Sequence, residues 1–514
     1  MTSPTVGGHG SHSSVRTAGW VRRDLEPFAH RPVLAVASVM TAVELVVASR
    51  YGFHRDELYF LQCARHLSWG YVDQPPLVPA VARLVLAVFG TSVFWLRFLP
   101  ALAGGAAVAM TALTARQLGG GGRAQLVAAV AAAASTQDLA AFHLLSTTAF
   151  DLLFWSTITY LLARLVTSND PRWWLLVGAA FGAALLNKLN VGYLAIGAVT
   201  GLAVCRRWTL LRSWWMAAGA AAAAVIFSPD VAWNATHHWA QVAMLESLHR
   251  ENSTLAASLA FIPAQFIVVG PVLAWVWLPG LRRLLRHPHG RPLGIAYLAL
   301  LVIYTLAGAK PYYLAGMYYA LFAGGGLYVE ERLAARRPGA LRSRIAAMTL
   351  GAVVALPLTL PVLPASALAT GPWQGAINKD LSATVGWPHF TRQVAAIAST
   401  LPSTERERLV IYTGDYGAAG AIDLYGPAYR LPEAISGHNN FWWWGPGGAP
   451  NRSTTIAVNL SRSYLLTIFT HVRPAGTVST PHGVWSEERG DQIWICTGQR
   501  RTWAEAWPAA RHYG

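Results

Sequence analysis

The chain has 514 residues, of which 54% are hydrophobic and only 12% are charged, and its mean hydropathy is +0.35. A soluble domain normally carries about 25% charged residues, so the composition excludes that class and predicts a polytopic membrane protein. The formal net charge of +16 does not indicate nucleic-acid binding, because the Arg residues cluster in short connections between apolar runs, as orientation signals do.

The N-terminal residues 1–31 are rich in Gly, Ser and His and then become basic, which predicts a disordered cytoplasmic tail. The first apolar run, residues 33–49, is interrupted only by Glu44. Since no small-residue cleavage site is clear, this run predicts an uncleaved first membrane span.

The apolar runs within residues 32–363 predict a membrane helix bundle with about 11 spans, or up to 13. An additional run, residues 77–90, follows Pro75-Pro76 and predicts a re-entrant or interfacial helix. The remaining runs are approximately 93–115, 124–141, 150–166, 173–187, 191–205, 214–230, 259–280, 292–308, 313–330 and 345–363.

Charge predicts the orientation of this bundle. With the N-terminus inside, the tail and five connections that face the cytoplasm hold 20 Arg, whereas the rest of residues 1–363 holds eight Lys or Arg. This asymmetry satisfies the positive-inside rule. It places residues 50–76, Lys188, 231–258 and Lys310 on the outer side of a cell membrane.

After residue 363 the composition changes. Residues 364–514 gain Gly, Pro and charge and lose runs long enough to span a membrane. We predict a strand at 408–415, a helix at 417–425 and another strand at 463–470. The fold class expected is therefore a mainly α, multi-pass bundle with a C-terminal extracytoplasmic α/β domain.

The loop at residues 50–76, called the first loop below, concentrates ionisable groups beside the first span, among them Arg55, Asp56, Glu57 and Asp73. Adjacent side chains on a helix point about 100° apart, so one of Asp56 and Glu57 should face a cavity and the other a neighbouring loop or a basic partner. A carboxylate in such a cavity is placed to take a proton from a hydroxyl group. The alternative is an ordinary solvated loop beside the membrane.

Lysine is rare, since only Lys188, Lys310 and Lys379 occur among 40 basic residues. Lys188 and Lys310 both stand at predicted outer helix ends. Two ammonium groups at one membrane level could neutralise a lipid phosphate, although each could instead extend to the membrane interface without a ligand.

Two further segments carry polar or aromatic groups. His237 and His238 are adjacent and lack the i, i+4 spacing of a helical metal pair, so they are a weak candidate for a divalent metal. Residues 435–446 combine His, Asn and aromatic side chains. This composition suits stacking on sugar rings and suits anchoring at a membrane interface equally well.

Several of these segments together resemble glycosyltransferase family 39, the protein-mannosyltransferase and aminoarabinose-transferase branch of the GT-C superfamily. The resemblance covers the whole membrane part and is most specific in the first loop. The segments are Phe53-His-Arg-Asp56-Glu57-Leu-Tyr59, Asp73-Gln74-Pro75-Pro76, Asp151, Lys188 and Lys310-Pro-Tyr312-Tyr313.

This resemblance implies a bacterial enzyme that takes a sugar, such as mannose or a pentose of the arabinose type, from a polyprenyl-phosphate donor. The acceptor would be a glycan, a lipid or a protein, the transfer would invert the anomeric carbon, and no nucleotide or flavin cofactor would be needed. Asp56 is the implied catalytic carboxylate, with Glu57 beside it. The other implied site residues are Arg55, Lys188 and Lys310 for the donor phosphate and Asp73, Gln74, Asp151, Tyr312, Tyr313, His237 and His238 for the substrates.

One position departs from the family pattern, because Gln74 stands where some relatives have a Lys that contacts phosphate. The rival interpretation of the whole chain is a transporter or flippase for a polyprenyl-linked sugar. That class predicts internal repeats and charges at the membrane midplane, and the sequence shows neither clearly.

Overall fold

The computed structural model describes residues 25–252, 254–334, 339–370 and 379–514. Most of the predicted N-terminal tail, residues 1–24, lies outside these ranges. The described chain is mainly α-helical, and its β-strands all lie between Val410 and Gln499. The predicted fold class, a helical bundle followed by a small α/β domain, is confirmed.

Seventeen helices precede this α/β region in the described chain. They are α1 His30–Val47, α2 Arg55–Arg65, α3 Leu77–Phe89, α4 Val93–Gln117, α5 Gly122–Ala133, α6 Thr136–Phe142, α7 Thr147–Ser168, α8 Trp173–Leu185, α9 Val191–Val204, α10 Trp208–Leu211, α11 Trp214–Thr236, α12 Ala240–Asn252, α13 Leu255–Val269, α14 Ala274–Arg286, α15 Arg291–Leu306, α16 Tyr318–Ala334 and α17 Gly339–Thr359.

Among the described residues, five helices are long and apolar enough to cross a membrane, and a sixth arises if the bent pair formed by α12 and α13 counts as one span. Five further apolar helices, including α3 and α9, are shorter. The predicted run at 77–90 forms α3, with 13 residues and a length of about 20 Å. The total of 11 to 13 spans stays a prediction.

The predicted single span at 259–280 is wrong. The first helix ends at Val269, before Gly270, whose backbone has φ 103°. Pro271 then begins a short 3₁₀ turn. Only glycine adopts such a conformation readily, and proline at the next position fixes the start of the following turn. The chain therefore forms two helices, α13 and α14, in place of one span.

The C-terminal region contains a five-stranded mixed sheet with strand order β2-β1-β3-β5-β4. β1 pairs in parallel with β2 and β3, whereas β5 pairs antiparallel with β3 and β4. The strands are β1 Val410–Thr413, β2 Ala434–Ser436, β3 Thr455–Val458, β4 Phe469–Thr477 and β5 Gln492–Gln499, and the helices are α18 Lys379–Ser382, α19 Trp387–Ser399, α20 Ser403–Arg406, α21 Tyr416–Tyr425, α22 Asn440–Trp444, α23 Arg462–Ile468 and α24 Trp503–Ala510.

The predictions at 408–415 and 417–425 agree with β1 and α21, but the strand predicted at 463–470 is wrong. Residues 462–468 form α23, and β4 begins only at Phe469. The Ser461 side chain accepts a hydrogen bond from the Tyr464 backbone N–H at 3.3 Å and so caps this helix. A short apolar run cannot be assigned to helix or strand by periodicity alone, and here the cap decides in favour of helix.

The C-terminal region packs directly onto the first loop. Leu58 and Phe60 of α2 share one buried cluster with Ile411 of β1 and Ile422 of α21. Gly420 permits this approach, because a Cβ at that position would lie 3.0 Å from the backbone of Leu58. This C-terminal region, residues 379–514, is called the sheet domain below. It therefore holds the helix that carries Asp56 from one side.

Candidate active site

The first loop is organised by the N-terminus of α2. The His54 imidazole Nδ1 accepts a hydrogen bond from the Asp56 backbone N–H at 3.0 Å, and the Glu57 carboxylate accepts one from the His54 backbone N–H at 2.8 Å. These reciprocal contacts satisfy two of the free N–H groups at the helix start. Asp56 and Glu57 consequently occupy the first turn, where carboxylates are favourable.

Glu57 is fully buried and forms an ion pair with Arg97 of α4. The Arg97 Nε donates to one carboxylate oxygen at 2.9 Å and the Nη2 donates to the other at 2.8 Å. The Leu145 backbone N–H also donates to Glu57, at 3.1 Å. Arg97 in turn donates to the carbonyl oxygens of Ala48 and Gly52 at 2.7 and 2.8 Å. The pair thus fixes the start of α2 against the bundle.

Asp56 faces the other way, as expected for neighbouring positions on a helix. Its side chain is 39% exposed, and its carboxylate accepts a hydrogen bond from the Tyr416 hydroxyl at 2.8 Å. The Arg55 Nε lies 3.8 Å from the same carboxylate, and the Arg55 guanidinium also pairs with Glu487. Arg55 is therefore engaged within the first loop and the sheet domain. Asp56 is the carboxylate of the pair that remains accessible.

Asp73 lies on the returning part of the first loop. It accepts a hydrogen bond from the Tyr59 hydroxyl at 2.7 Å. Burial raises the pKa of Asp73 to about 7, although the Tyr59 hydrogen bond acts in the opposite direction. The Asn440 side-chain oxygen holds the loop from the sheet domain by accepting the Val72 backbone N–H at 2.7 Å.

Gln74 is 3% exposed, and neither atom of its side-chain amide has a hydrogen-bond partner within the described chain. Its backbone carbonyl accepts from the Tyr71 backbone N–H at 2.9 Å and from the Gln241 side chain at 3.3 Å. A buried amide without partners is costly. The Gln74 side chain therefore keeps unused hydrogen-bonding capacity within the described chain.

Lys188 lies in the connection after α8 and faces the start of α7. Its ammonium donates to the Thr148 hydroxyl at 3.1 Å and lies 5.3 and 5.5 Å from the ring centres of Tyr312 and Tyr313. Cation–π contacts of this kind hold an ammonium without neutralising it. The carboxylate that acts electrostatically on this ammonium is Asp151.

Asp151 is buried beside this group. It accepts from the Trp155 indole N–H at 3.0 Å and from the Asn190 amide at 3.4 Å. The Asn190 amide also donates to the Tyr313 carbonyl at 3.4 Å. These bonds tie α7, the start of α9 and the turn after α15 together, so Asp151 positions the region around Lys188.

The first loop lies at the same end of the bundle as Lys188 and Lys310. Lys310 precedes the turn that carries Tyr312 and Tyr313, and it lies within electrostatic reach of both Lys188 and Asp380. Asp380 of α18 lies 3.8 Å from the His54 imidazole. Two ammonium groups thus stand on the same side of the molecule as the exposed Asp56 carboxylate.

His237 and His238 take part in packing. The His237 ring stacks on Trp233 with ring centres 4.1 Å apart, and His238 stacks against Trp443 of the sheet domain at 6.3 Å. His237 Nδ1 lies 2.8 Å from the Trp233 carbonyl. Within the ranges that the structure describes, no group of three or more His, Cys, Asp and Glu could hold a metal ion.

The aromatic segment at 435–446 is also packed against neighbours. Trp444 stacks on His66, the residue after α2, with ring centres 4.6 Å apart, and this contact joins the sheet domain to the first loop. The Trp442 indole N–H donates to the Trp507 carbonyl at 2.9 Å within the sheet domain. Sugar stacking and interface anchoring both remain predictions for the exposed parts of these rings.

Sequence reasoning missed Arg97, Tyr416 and Asn440, which contact Glu57, Asp56 and the first loop respectively. Arg97 had a usable signal, because it is the one Arg inside the apolar run at 93–115. An ionisable group in such a run needs a partner, and the first loop supplies one. Tyr416 had no such signal, and Asn440 lies in the candidate segment 435–446, but no local pattern predicts its contact with the first loop.

Comparisons with known proteins agree with this fold. Residues 73–233 match the family model described as dolichyl-phosphate-mannose-protein mannosyltransferase. This segment contains Asp73, Asp151 and Lys188 but neither Asp56 nor Lys310. No curated protein sequence matches the chain significantly.

Two solved structures of ArnT from Cupriavidus metallidurans are similar over nearly the whole chain. The structure bound to undecaprenyl phosphate has a TM-score of 0.59 and 18% sequence identity, and it covers 90% of this chain and 97% of that chain. The apo structure has a TM-score of 0.56 and 16% identity, with the same coverage. The chain therefore shares the overall architecture of these two structures over most of its length. The family model and the fold together confirm the resemblance to glycosyltransferase family 39.

Proposed function

We propose that this chain is a membrane glycosyltransferase that moves a sugar from a polyprenyl-phosphate donor to an acceptor, with Asp56 as the catalytic carboxylate. The observation that carries the proposal is the convergence of the exposed Asp56 carboxylate with Lys188 and Lys310 at one end of the bundle. An accessible carboxylate on the same side of the molecule as two ammonium groups matches a reaction in which a hydroxyl loses a proton and a phosphate gains charge.

In the proposed reaction, Asp56 takes the proton from an acceptor hydroxyl as its oxygen attacks the anomeric carbon of the donor sugar. The bond between that carbon and the phosphate oxygen breaks, the configuration inverts, and polyprenyl phosphate leaves. Lys188 and Lys310 stabilise the charge that grows on the leaving phosphate. Fixed charges aimed at developing charge are often the largest contribution to catalysis.

The proposal has support from both comparisons. The related ArnT structure is bound to undecaprenyl phosphate, and the matching family model describes a dolichyl-phosphate-mannose-dependent enzyme. Undecaprenyl phosphate and the dolichyl phosphate of that description both join a phosphate to a long polyprenyl chain. We infer the same donor class here, with mannose or an arabinose-like pentose as the sugar and a glycan, lipid or protein as acceptor.

The remaining site residues take supporting roles in this proposal. Arg55 contributes positive charge near the donor, and Tyr312 and Tyr313 hold the Lys188 ammonium in place. Asp73 and Gln74 face the substrates from the returning part of the first loop. The walls of the proposed substrate site are shaped by Asp151, His237 and His238.

The direct test is mass spectrometry of products from the purified protein supplied with a labelled polyprenyl-phosphate sugar and membrane acceptors. A labelled acceptor together with released polyprenyl phosphate is expected. Movement of intact donor across vesicle membranes without any labelled acceptor would favour the flippase instead.

We expect Lys188→Gln and Lys310→Gln each to reduce turnover, and Lys188→Arg and Lys310→Arg to reduce it less. An Arg keeps the positive charge, although it cannot reproduce the compact ammonium. The double Gln variant should be the slowest. The measurement is donor binding and turnover for these five proteins beside the wild type.

The control for this series is Lys379→Gln, which removes the third Lys. Its ammonium lies 5.4 Å from the Trp485 ring centre, and it should leave donor binding close to the wild-type value. Wild-type kinetics in the double Gln variant of Lys188 and Lys310 would overturn the assignment to the donor phosphate.

We also propose that the first loop and the sheet domain face the outside of the cell. In a Cys205→Ser background, Ser403→Cys lies at an exposed position of the sheet domain and Thr209→Cys at an exposed position of α10. A membrane-impermeant thiol reagent applied to intact cells should label Ser403→Cys, and Thr209→Cys only after lysis. The reverse pattern would invert the topology.

A further inference from the structure

A second charged region lies at the opposite end of the bundle from the candidate active site. α9 starts just after Lys188 and ends before Arg206, and α15 starts at Arg291 and ends just before Lys310. With 14 and 16 residues these helices are about 21 and 24 Å long. Their far ends are therefore too distant to take part in the proposed sugar transfer.

At this end, two connections that are distant in sequence form one cavity of about 480 Å³. Its lining includes four guanidiniums, Arg206 and Arg207 from the connection after α9 and Arg286 and Arg291 from the connection between α14 and α15. Gly201 permits this arrangement, because a Cβ at that position would clash with the Pro292 carbonyl oxygen. The Arg207 side chain also donates to the Pro288 carbonyl at 3.0 Å and so joins the two connections.

In the described ranges, no carboxylate neutralises these four charges. Within the described part of the chain, none of these guanidiniums lies within 4.0 Å of a carboxylate. The nearby Arg283 differs, since it pairs with Glu331 at 2.5 Å. Orientation signals need only lie on the correct side of the membrane. They do not need to gather around one cavity.

The surroundings of the cavity are those of a membrane interface. Val204 is 58% exposed and Trp208 is 45% exposed, and both flank Arg206 and Arg207 in sequence. Tryptophan is enriched where a protein crosses from lipid to water. A cavity that joins several unpaired guanidiniums to such a surface fits an anionic headgroup attached to apolar chains.

We propose that this arginine cavity binds a phosphate group, as carried by an anionic phospholipid headgroup or by a free phosphate anion. Guanidinium groups suit this ligand, because their planar donors match phosphate oxygens in pairs. Basic pockets between helices at a membrane surface bind anionic headgroups for the same reason. This site is separate from the donor site and does not depend on the proposed transfer reaction.

The test uses the purified full chain in a neutral detergent. Phosphatidylglycerol, zwitterionic phosphatidylcholine with the same acyl chains, and inorganic phosphate are titrated separately, and retained ligand is counted by native mass spectrometry. The variant is Arg207→Gln/Arg291→Gln. The matched control is Arg123→Gln/Arg282→Gln, which removes two exposed arginines outside the cavity.

We expect the wild type and the control pair to retain phosphatidylglycerol in preference to phosphatidylcholine, and the cavity pair to bind it about tenfold or more weakly. The same pattern with inorganic phosphate, and no preference for the lipid, would assign the site to a soluble phosphate. Equal loss in both pairs would show only nonspecific charge attraction and would overturn the proposal. The absence of saturable binding of either ligand to the wild type would overturn it as well.

A second variant separates the loss of ligand binding from misfolding. It is needed because Arg207 also donates a hydrogen bond to the Pro288 carbonyl. Arg291→Gln alone removes one charge of the cavity and no hydrogen bond that joins the two connections. Its thermal unfolding midpoint without ligand should match the wild type, while the rise in midpoint caused by phosphatidylglycerol should shrink. An undiminished rise in this variant, together with undiminished binding by the cavity pair, would contradict the proposed site.

Discussion

Replacing Asp56 with Asn is expected to lower sugar-transfer turnover by about 10²–10⁴-fold, the usual contribution of a general base. The amide cannot take a proton from the acceptor hydroxyl. It can still accept the hydrogen bond that the Tyr416 hydroxyl now donates at 2.8 Å, so the fold and donor binding should persist. The measurement is turnover with saturating donor, together with donor affinity and the thermal unfolding midpoint.

The matched control is Asp170→Asn. Asp170 follows the far end of α7, where it accepts the Arg172 backbone N–H at 3.0 Å, and its replacement should leave turnover unchanged. Near-normal sugar-transfer turnover in Asp56→Asn would remove Asp56 from the catalytic role.

Replacing Glu57 with Gln is expected to destabilise the protein by roughly 3–5 kcal/mol, because it leaves Arg97 as a buried charge without its counter-ion. Glu57 is 0% and Arg97 1% exposed, so solvent cannot compensate for the loss. We expect a lower thermal unfolding midpoint and reduced yield. Any loss of turnover should follow the fraction of folded protein.

The contrast is provided by Glu331→Gln, which breaks the pair with Arg283. The Glu331 side chain is 52% exposed, and exposed ion pairs contribute only about 0–1 kcal/mol. If Glu57→Gln kept wild-type stability but lost turnover while Asp56→Asn remained active, the roles assigned to the two acids would have to be exchanged.

Much of the architecture could be predicted because composition and local pattern decide it. The apolar runs identify the membrane bundle, and the change after residue 363 identifies the sheet domain. The divergence of Asp56 and Glu57 followed from helix geometry alone. The break at Gly270 also had a local signal, the Gly-Pro pair, which the hydrophobicity of residues 259–280 outweighed in the prediction.

The partners of the acids could not be predicted in the same way. Tyr416 lies 360 residues from Asp56, and Asn440 lies 368 residues from Val72. No periodicity links such positions, because only the packing of α21 and α22 on the first loop brings them together. Arg97 and Glu44 can be identified from the sequence as ionisable groups in apolar runs. Their partners, Glu57 and His143, cannot be identified in this way.

The contacts of α2 have a consequence for how the protein is made. The Glu57–Arg97 pair joins residues 40 positions apart, so it can close as soon as α4 has been synthesised. The Tyr416 contact with Asp56 spans 360 positions and requires almost the whole chain to have been translated. Domains form from the N-terminus onwards during synthesis. The nascent bundle therefore carries an anchored but uncovered first loop until the sheet domain arrives, and the site becomes complete only near the end of translation.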